Sequence, residues 1–290
     1  MIDRDYVSKL ENTLDLLVLE KGSFQIYVSL FGGRIIQAKL NNEFLLWTHP
    51  NLLNSIKNIG WNLGGIRTWF SPERNYYYKN PIDFKDWFCP KGFDPIKYTL
   101  KTKTQNAIVV QTDLFVRDNI SQKDITGSFT KRISLGDFNS NEDYSSGIIE
   151  INSSLTIDQD NPIAIWTIFQ VPPGDNYGIV SIPVKHYEPI HYFDIIPEKY
   201  LYQLDNQAIA ILDGRFEFKV GIQPKHLEKN RSQILNYNYS INKKRFSIII
   251  ESKKNPSNMK ECIDTAKFNP LGPKGSIQIY NSNSNVTDLC

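Results

Sequence analysis

The sequence predicts an all-β fold, a large antiparallel β-sandwich with few short helices, formed as a single domain over residues 1–290. Three observations predict it. Runs of alternating apolar and polar residues recur at short intervals, as half-buried strands require. Clusters of Gly, Pro, Asn and Asp separate those runs. No series of long helical patterns alternates with the strands, which argues for a sandwich or barrel over an α/β arrangement.

The elements follow in order. Leu14 to Glu20 is apolar, and Ser23 to Leu30 alternates with period two. Gly32-Gly33 turns the chain into Arg34 to Leu40, and Asn41-Asn42 turns it again into Glu43 to Trp47. Further strands are expected at 107–112, 128–135, 147–157, 163–171, 208–212, 215–221, 246–251 and 276–280. Short helices are expected only over Ile2 to Leu10, Glu198 to Leu204 and Asn258 to Ala266. The polar segment Arg117 to Ser146 reads as carrying an exposed loop.

Composition narrows the function. The 290 residues are 40% hydrophobic and 12% aromatic, enough for a sizeable core. Net charge is +2 with Lys and Arg spread among Asp and Glu, so no nucleic-acid partner is expected. No run approaches the ~20 apolar residues of a membrane span, so no membrane partner is expected either. The opening Met1-Ile2-Asp3-Arg4-Asp5-Tyr6 is charged and lacks the apolar region of a signal peptide. Cys89, Cys262 and Cys290 show no metal-like or disulfide spacing. The expectation is therefore a cytoplasmic protein, monomer or homodimer, with no cofactor and no metal. Gly32-Gly33 and Gly64-Gly65 lack nucleotide-loop spacing, and there is no G-x-S-x-G elbow.

The most unusual stretch is Gly60 to Phe93. It holds Trp61, Trp69 and Trp87 and the run Tyr76-Tyr77-Tyr78, interleaved with Arg67, Glu73, Arg74 and Asp86, and shows little strand pattern. A long aromatic, charged loop reads as a lid or the wall of a groove. Sugars suit such a wall, because their C–H faces pack on rings while Arg, Asp and Glu take the hydroxyls. The alternative is that the tryptophans fill a core beneath a loop. A small-molecule carbohydrate is the expected partner.

The motifs Gly32-Gly33-Arg34-Ile35-Ile36, Phe44-Leu45-Leu46-Trp47, Gly64-Gly65-Ile66-Arg67-Thr68-Trp69-Phe70-Ser71-Pro72-Glu73, Phe216-Glu217-Phe218-Lys219-Val220-Gly221 and Leu271-Gly272-Pro273-Lys274-Gly275-Ser276 stand in order along the chain. Together they resemble an uncharacterised branch of the aldose-1-epimerase (galactose mutarotase-like) superfamily. That resemblance implies a supersandwich whose concave face takes sugar, and anomer exchange by a His acid and a Glu base. The departures bear on chemistry. Lys91 stands where the family's H-G segment begins, and Ile165 to Gln170 has no His where the family's acid falls. Glu251, at the end of an apolar strand, matches the position of the family's base, with Glu73 as an alternative base and Glu261 in a competing register. His186 is then the candidate acid, since its ordinary pKa lies near neutrality. His49 and His226 read as structural residues in turns. Arg67 and Arg74 are expected to bind hydroxyls or a carboxylate, and Trp69 to stack with part of its ring open to solvent. Lys91 and Lys219 complete the expected substrate contacts. His186-Tyr187-Glu188 also has the H-x-E form of a metal pair, which without a third ligand is weak evidence. The implied function is a diverged epimerase-like enzyme acting on a sugar or uronate, with a non-catalytic carbohydrate-binding protein as the alternative.

Overall fold

In the computed structural model the chain divides into two compact units, Met1–Val171 and Pro172–Cys290. The structure describes residues 10–58, 60–158, 163–227, 233–253, 265–266 and 269–282. Every strand pairing among them is antiparallel, and the described helices are short, so the all-β class holds.

The first unit opens with β1 (Leu16–Lys21), β2 (Phe24–Ser29), β3 (Arg34–Leu40) and β4 (Glu43–Phe44). Helix α1 (Leu52–Asn58) follows, then β5 (Ile66–Ser71), the one-turn helix α2 (Glu73–Tyr76), β6 (Tyr78–Asn80) and β7 (Lys85–Trp87). It closes with β8 (Thr99–Lys103), β9 (Ala107–Asp118), β10 (Lys123–Ser140), β11 (Ser145–Ile157) and β12 (Ala164–Phe169). One sheet runs β1-β2-β3-β5-β12 with β4 beside β3, and a second runs β11-β10-β9-β8.

The inward faces of these two sheets share one core. Leu19, Ile26, Val28 and Ile35 of the first pack with Ile108, Val110, Phe129 and Ile133 of the second. Phe70 meets Phe129 edge to face at 5.1 Å. On the other side of β2 and β3, Tyr27 and Ile36 cluster with Leu52 and Leu63, and Ile56 of α1 packs against them. Asn51 caps that helix, since its Oδ1 accepts from the Asn54 amide at 3.2 Å.

Two expectations are corrected here, and a third is located. Gly60 to Phe93 is not strand-poor, because it contains β5, all six residues of which are buried. A strand covered on both faces shows no alternation to read. Residues 117–146 are mostly strand, and the exposed loop expected within them is residues 141–144, between β10 and β11. Glu198 to Leu204 is a turn followed by a strand.

The second unit contains β13 (Gly178–Pro183), β14 (Ile190–His191), β15 (Leu201–Leu204), β16 (Gln207–Leu212), β17 (Phe218–Ile222) and a 3-10 turn, Pro224–His226. It continues with β18 (Gln233–Ile241), β19 (Lys244–Ser252), β20 (Thr265–Ala266), β21 (Asn269–Lys274) and β22 (Ile277–Asn281). A five-stranded sheet runs β15-β16-β13-β18-β19 and a smaller one β14-β17-β22. The expected helix over Ile2 to Leu10 lies outside the described residues except for Leu10. That over Asn258 to Ala266 lies outside them except for Thr265 and Ala266, which form β20.

Candidate functional site

In the first unit the aromatic stretch folds around β5. Side chains two apart on a strand share a face, so Arg67 and Trp69 point together, on the face of β5 opposite Phe70. Around Trp69 stand Trp61, Tyr77, Trp87 and, from the neighbouring strand, its register partner Trp166. The centroid distances are 5.5, 4.9, 6.2 and 5.9 Å respectively. The Arg67 guanidinium lies 4.1 Å over the Trp69 ring and 5.1 Å from that of Trp61. Its Nη1 donates to the Trp61 carbonyl at 3.4 Å, and its Nε is buried without a hydrogen-bond partner among the described residues. Burial lowers the Arg67 pKa to about 10, and Arg34 adds to the fall while Asp94 opposes it.

A buried ion pair anchors this cluster. Arg34, with no exposed surface, pairs through Nη2 with Asp94 Oδ1 and donates from Nη1 to the Trp61 carbonyl at 2.9 Å. The second oxygen of Asp94 accepts from Trp69 Nε1 at 2.8 Å. Asp94 thus ties the two strands' cation and indole together, and Cys89 Sγ donates to its backbone carbonyl at 3.0 Å. Burial, reinforced by Asp94, pushes the Cys89 thiol up, so it stays protonated and unreactive. Nearby, Lys131 is buried and donates to the Gly33 carbonyl at 2.7 Å.

The expected residues distribute as follows. Arg67 and Trp69 do meet, but each is only 4% exposed. Trp69 is therefore not the solvent-open ring expected of a stacking residue, because its neighbours and its bond to Asp94 enclose it. The half-buried rings at the margin of the cluster are Trp87 and Trp166. Glu73 reaches the same margin, its Oε1 accepting from Trp87 Nε1 at 3.1 Å. Arg74 braces the loop, donating from Nε to the Pro81 carbonyl at 2.8 Å and lying 5.1 Å over Phe84. Lys91 is exposed in the turn whose Pro90 carbonyl accepts from the amides of Phe93 and Asp94.

His186, Lys219 and Glu251 belong to the second unit. Lys219, on β17, is buried with its ammonium 4.7 Å over the Tyr192 ring, so it is not an outward strand residue. Glu251 is exposed on β19, paired with Ile234. His186 is exposed in the bend after β13, its ring 5.2 Å from that of His226. His226 is 3% exposed, and its Nε2 lies 3.2 Å from Glu188 Oε2. Burial, with Lys225 beside it, lowers the His226 pKa. Glu261 lies outside the described residues.

Sequence reasoning passed over Asp94, Trp166 and the His226–Glu188 contact. Asp94 had a signal, a carboxylate between Phe93 and Pro95 inside an aromatic stretch, where an acid needs a buried partner. Trp166 sat in a recognised strand, but its pairing with β5 carried no local mark.

Among solved structures, the chain is similar to a galactose mutarotase-like protein from Lactobacillus casei ATCC 334, with 12% identity and a TM-score of 0.41, over 92% of this chain and 95% of that one. It is also similar to a galactose mutarotase related enzyme from Lactobacillus acidophilus, with 11% identity and a TM-score of 0.40, over 93% of this chain and 98% of that one. No family model matches the chain, and no curated protein matches it.

Proposed function

We propose that this chain is a carbohydrate-binding protein whose sugar-facing surface is the tryptophan margin of the first unit. The observation that carries the reading is the pairing of two half-buried indoles, Trp87 and Trp166, with an enclosed layer of Trp69 and Arg67 behind them. Half-buried rings can offer apolar edges and faces to sugar C–H groups, and the buried layer holds those rings in place at little entropic cost on binding. Arg67, enclosed behind these rings and with no acidic hydrogen-bond partner among the described residues, adds a positive charge beneath the surface, which favours a ligand bearing a carboxylate, a uronate before a neutral hexose.

The test is a titration of the protein with glucose, galactose and their uronates, followed by tryptophan fluorescence. Binding is expected, tighter for the uronates. Trp87→Ala and Trp166→Ala should each weaken it by about 1–2 kcal/mol, roughly a 5- to 30-fold rise in Kd. Quenching that both substitutions leave unchanged would place the site elsewhere.

A diverged aldose 1-epimerase-like enzyme is the second reading, favoured by one contact, that of Glu73 with Trp87, which sets a carboxylate beside the proposed surface. It requires Glu73 to act as the base. NMR exchange between anomers separates the two: catalysed exchange lost in Glu73→Gln supports the enzyme, and exchange at the spontaneous rate supports the binding protein.

A further inference from the structure

We propose that His186, Glu188 and His226, in the second unit, form a binding site for a divalent metal ion of the zinc type. Each offers one ligand atom, and the three atoms lie within 4.8 Å of one another. Two imidazoles and a carboxylate are a donor set that suits zinc, and they leave a coordination position for water or a ligand oxygen. His186 and Glu188 are exposed, so that position faces solvent.

The local fold brings the ligands together. His186 and Glu188 stand two apart in the segment after β13, and His226 ends the 3-10 turn after β17. The Lys185 amide donates to the His226 carbonyl at 2.7 Å, which clamps the two segments side by side. The Val184 amide donates to Asn206, holding the first segment from the other end at 2.9 Å. The two histidine rings lie 5.2 Å apart and nearly perpendicular, at 76°.

The His226 ring is poorly satisfied without a cation. Its Nδ1 is buried with no hydrogen-bond partner among the described residues, while Nε2 faces Glu188 Oε2 at 3.2 Å. If Nε2 carries the proton, Nδ1 is a buried acceptor without a donor. If Nδ1 carries it, the Nε2 lone pair faces a carboxylate oxygen. A metal ion turns that second arrangement from repulsive to binding. The spacing is close to what is needed, since adjacent ligands on a tetrahedral zinc with bonds of ~2.0–2.2 Å stand about 3.3–3.6 Å apart. His186 is exposed and its ligand atom already lies within 4.8 Å of the other two, and on metal binding its side chain moves inward to close the third edge. Lys225 Nζ, 3.9 Å from the same Glu188 oxygen and itself exposed, is the cation that the metal displaces. Because His226 Nδ1 meets no second-shell acceptor among the described residues, the affinity is expected to fall below that of sites built with one.

The experiment uses the full chain, stripped with a chelator and titrated with Zn2+ by calorimetry, with thermal unfolding alongside. One Zn2+ per chain is expected, with a raised Tm, and Co2+ in its place should give visible d–d absorption. His186→Ala and Glu188→Gln alter exposed side chains, so both variants should fold. Each should weaken binding by more than the about 10- to 100-fold that losing a second-shell partner costs. Zinc affinity unchanged in both variants, or no saturable binding by the folded wild type, would overturn the proposal.

Discussion

Asp94 concentrates the electrostatics of the first unit in one side chain. It pairs with a fully enclosed Arg34 and accepts from Trp69, so each of its oxygens has a partner away from water. Removing one partner of a buried ion pair leaves the other as an uncompensated charge, which costs about 3–5 kcal/mol. Asp94→Asn, which keeps the shape and removes the charge, is expected to lower stability by that amount in urea unfolding. A loss within experimental error would mean that Arg34 finds another counter-charge. Lys131 makes a complementary case. Burial, with Arg34 adding to it, lowers its pKa from 10.5 to about 7 in the folded chain. Between those values the unfolded chain binds more protons than the folded one, so the Lys131 contribution to stability rises with pH. Below about pH 7 its cost is fully present. Lys131→Met should therefore gain on wild type at about pH 6 and lose that advantage steadily toward about pH 9. Urea midpoints of the two proteins that run parallel across this window would refute the assignment.

β5 carries the site and was the element hardest to read. Ile66–Ser71 mixes Arg, Thr, Trp and Ser, yet all six residues are buried. Its polar members look like loop residues until the partners that satisfy them are known. The turn before it is equally constrained. Gly65 has φ +77°, and a Cβ there would sit 2.1 Å from the Ile35 carbonyl oxygen. Only glycine allows β3 and β5 to approach this closely. Gly65→Ala is expected to cost about 2–4 kcal/mol, from left-handed strain plus separation of the two strands. Chemical denaturation measures it, and a smaller loss would show that the sheet opens there without penalty. Misreadings elsewhere share a cause. Helix α1 escaped notice because its apolar contacts amount to Leu52 and Ile56 alone, with Asn51 as its cap. Within Arg117 to Ser146 the exposed loop was legible but the full length of β9 and β10 was not, because the outer parts of long strands carry polar residues that resemble turn chemistry.

For the molecule as a whole, local pattern was enough to establish the class. The period-two run Ser23 to Leu30 and the turn-bounded run Arg34 to Leu40, separated by Gly32-Gly33 and followed by Asn41-Asn42, appear as β2 and β3 with those turns between and after them. The aromatic stretch was marked in advance as unusual, and it does assemble around Arg67 and Trp69. Which of its rings are enclosed and which lie at the margin depended on tertiary structure, because Trp166 reaches Trp69 only through the pairing of β12 with β5. Asp94 reaches Arg34 across 60 residues, and His226 joins His186 and Glu188 from a turn beyond β17. The physical reason is the range of the interactions concerned. Alternation and turn chemistry arise from neighbours within a few residues, so the sequence displays them directly. Ion pairs, ring clusters and ligand sets form between groups that only the closed sheets bring within a few ångströms.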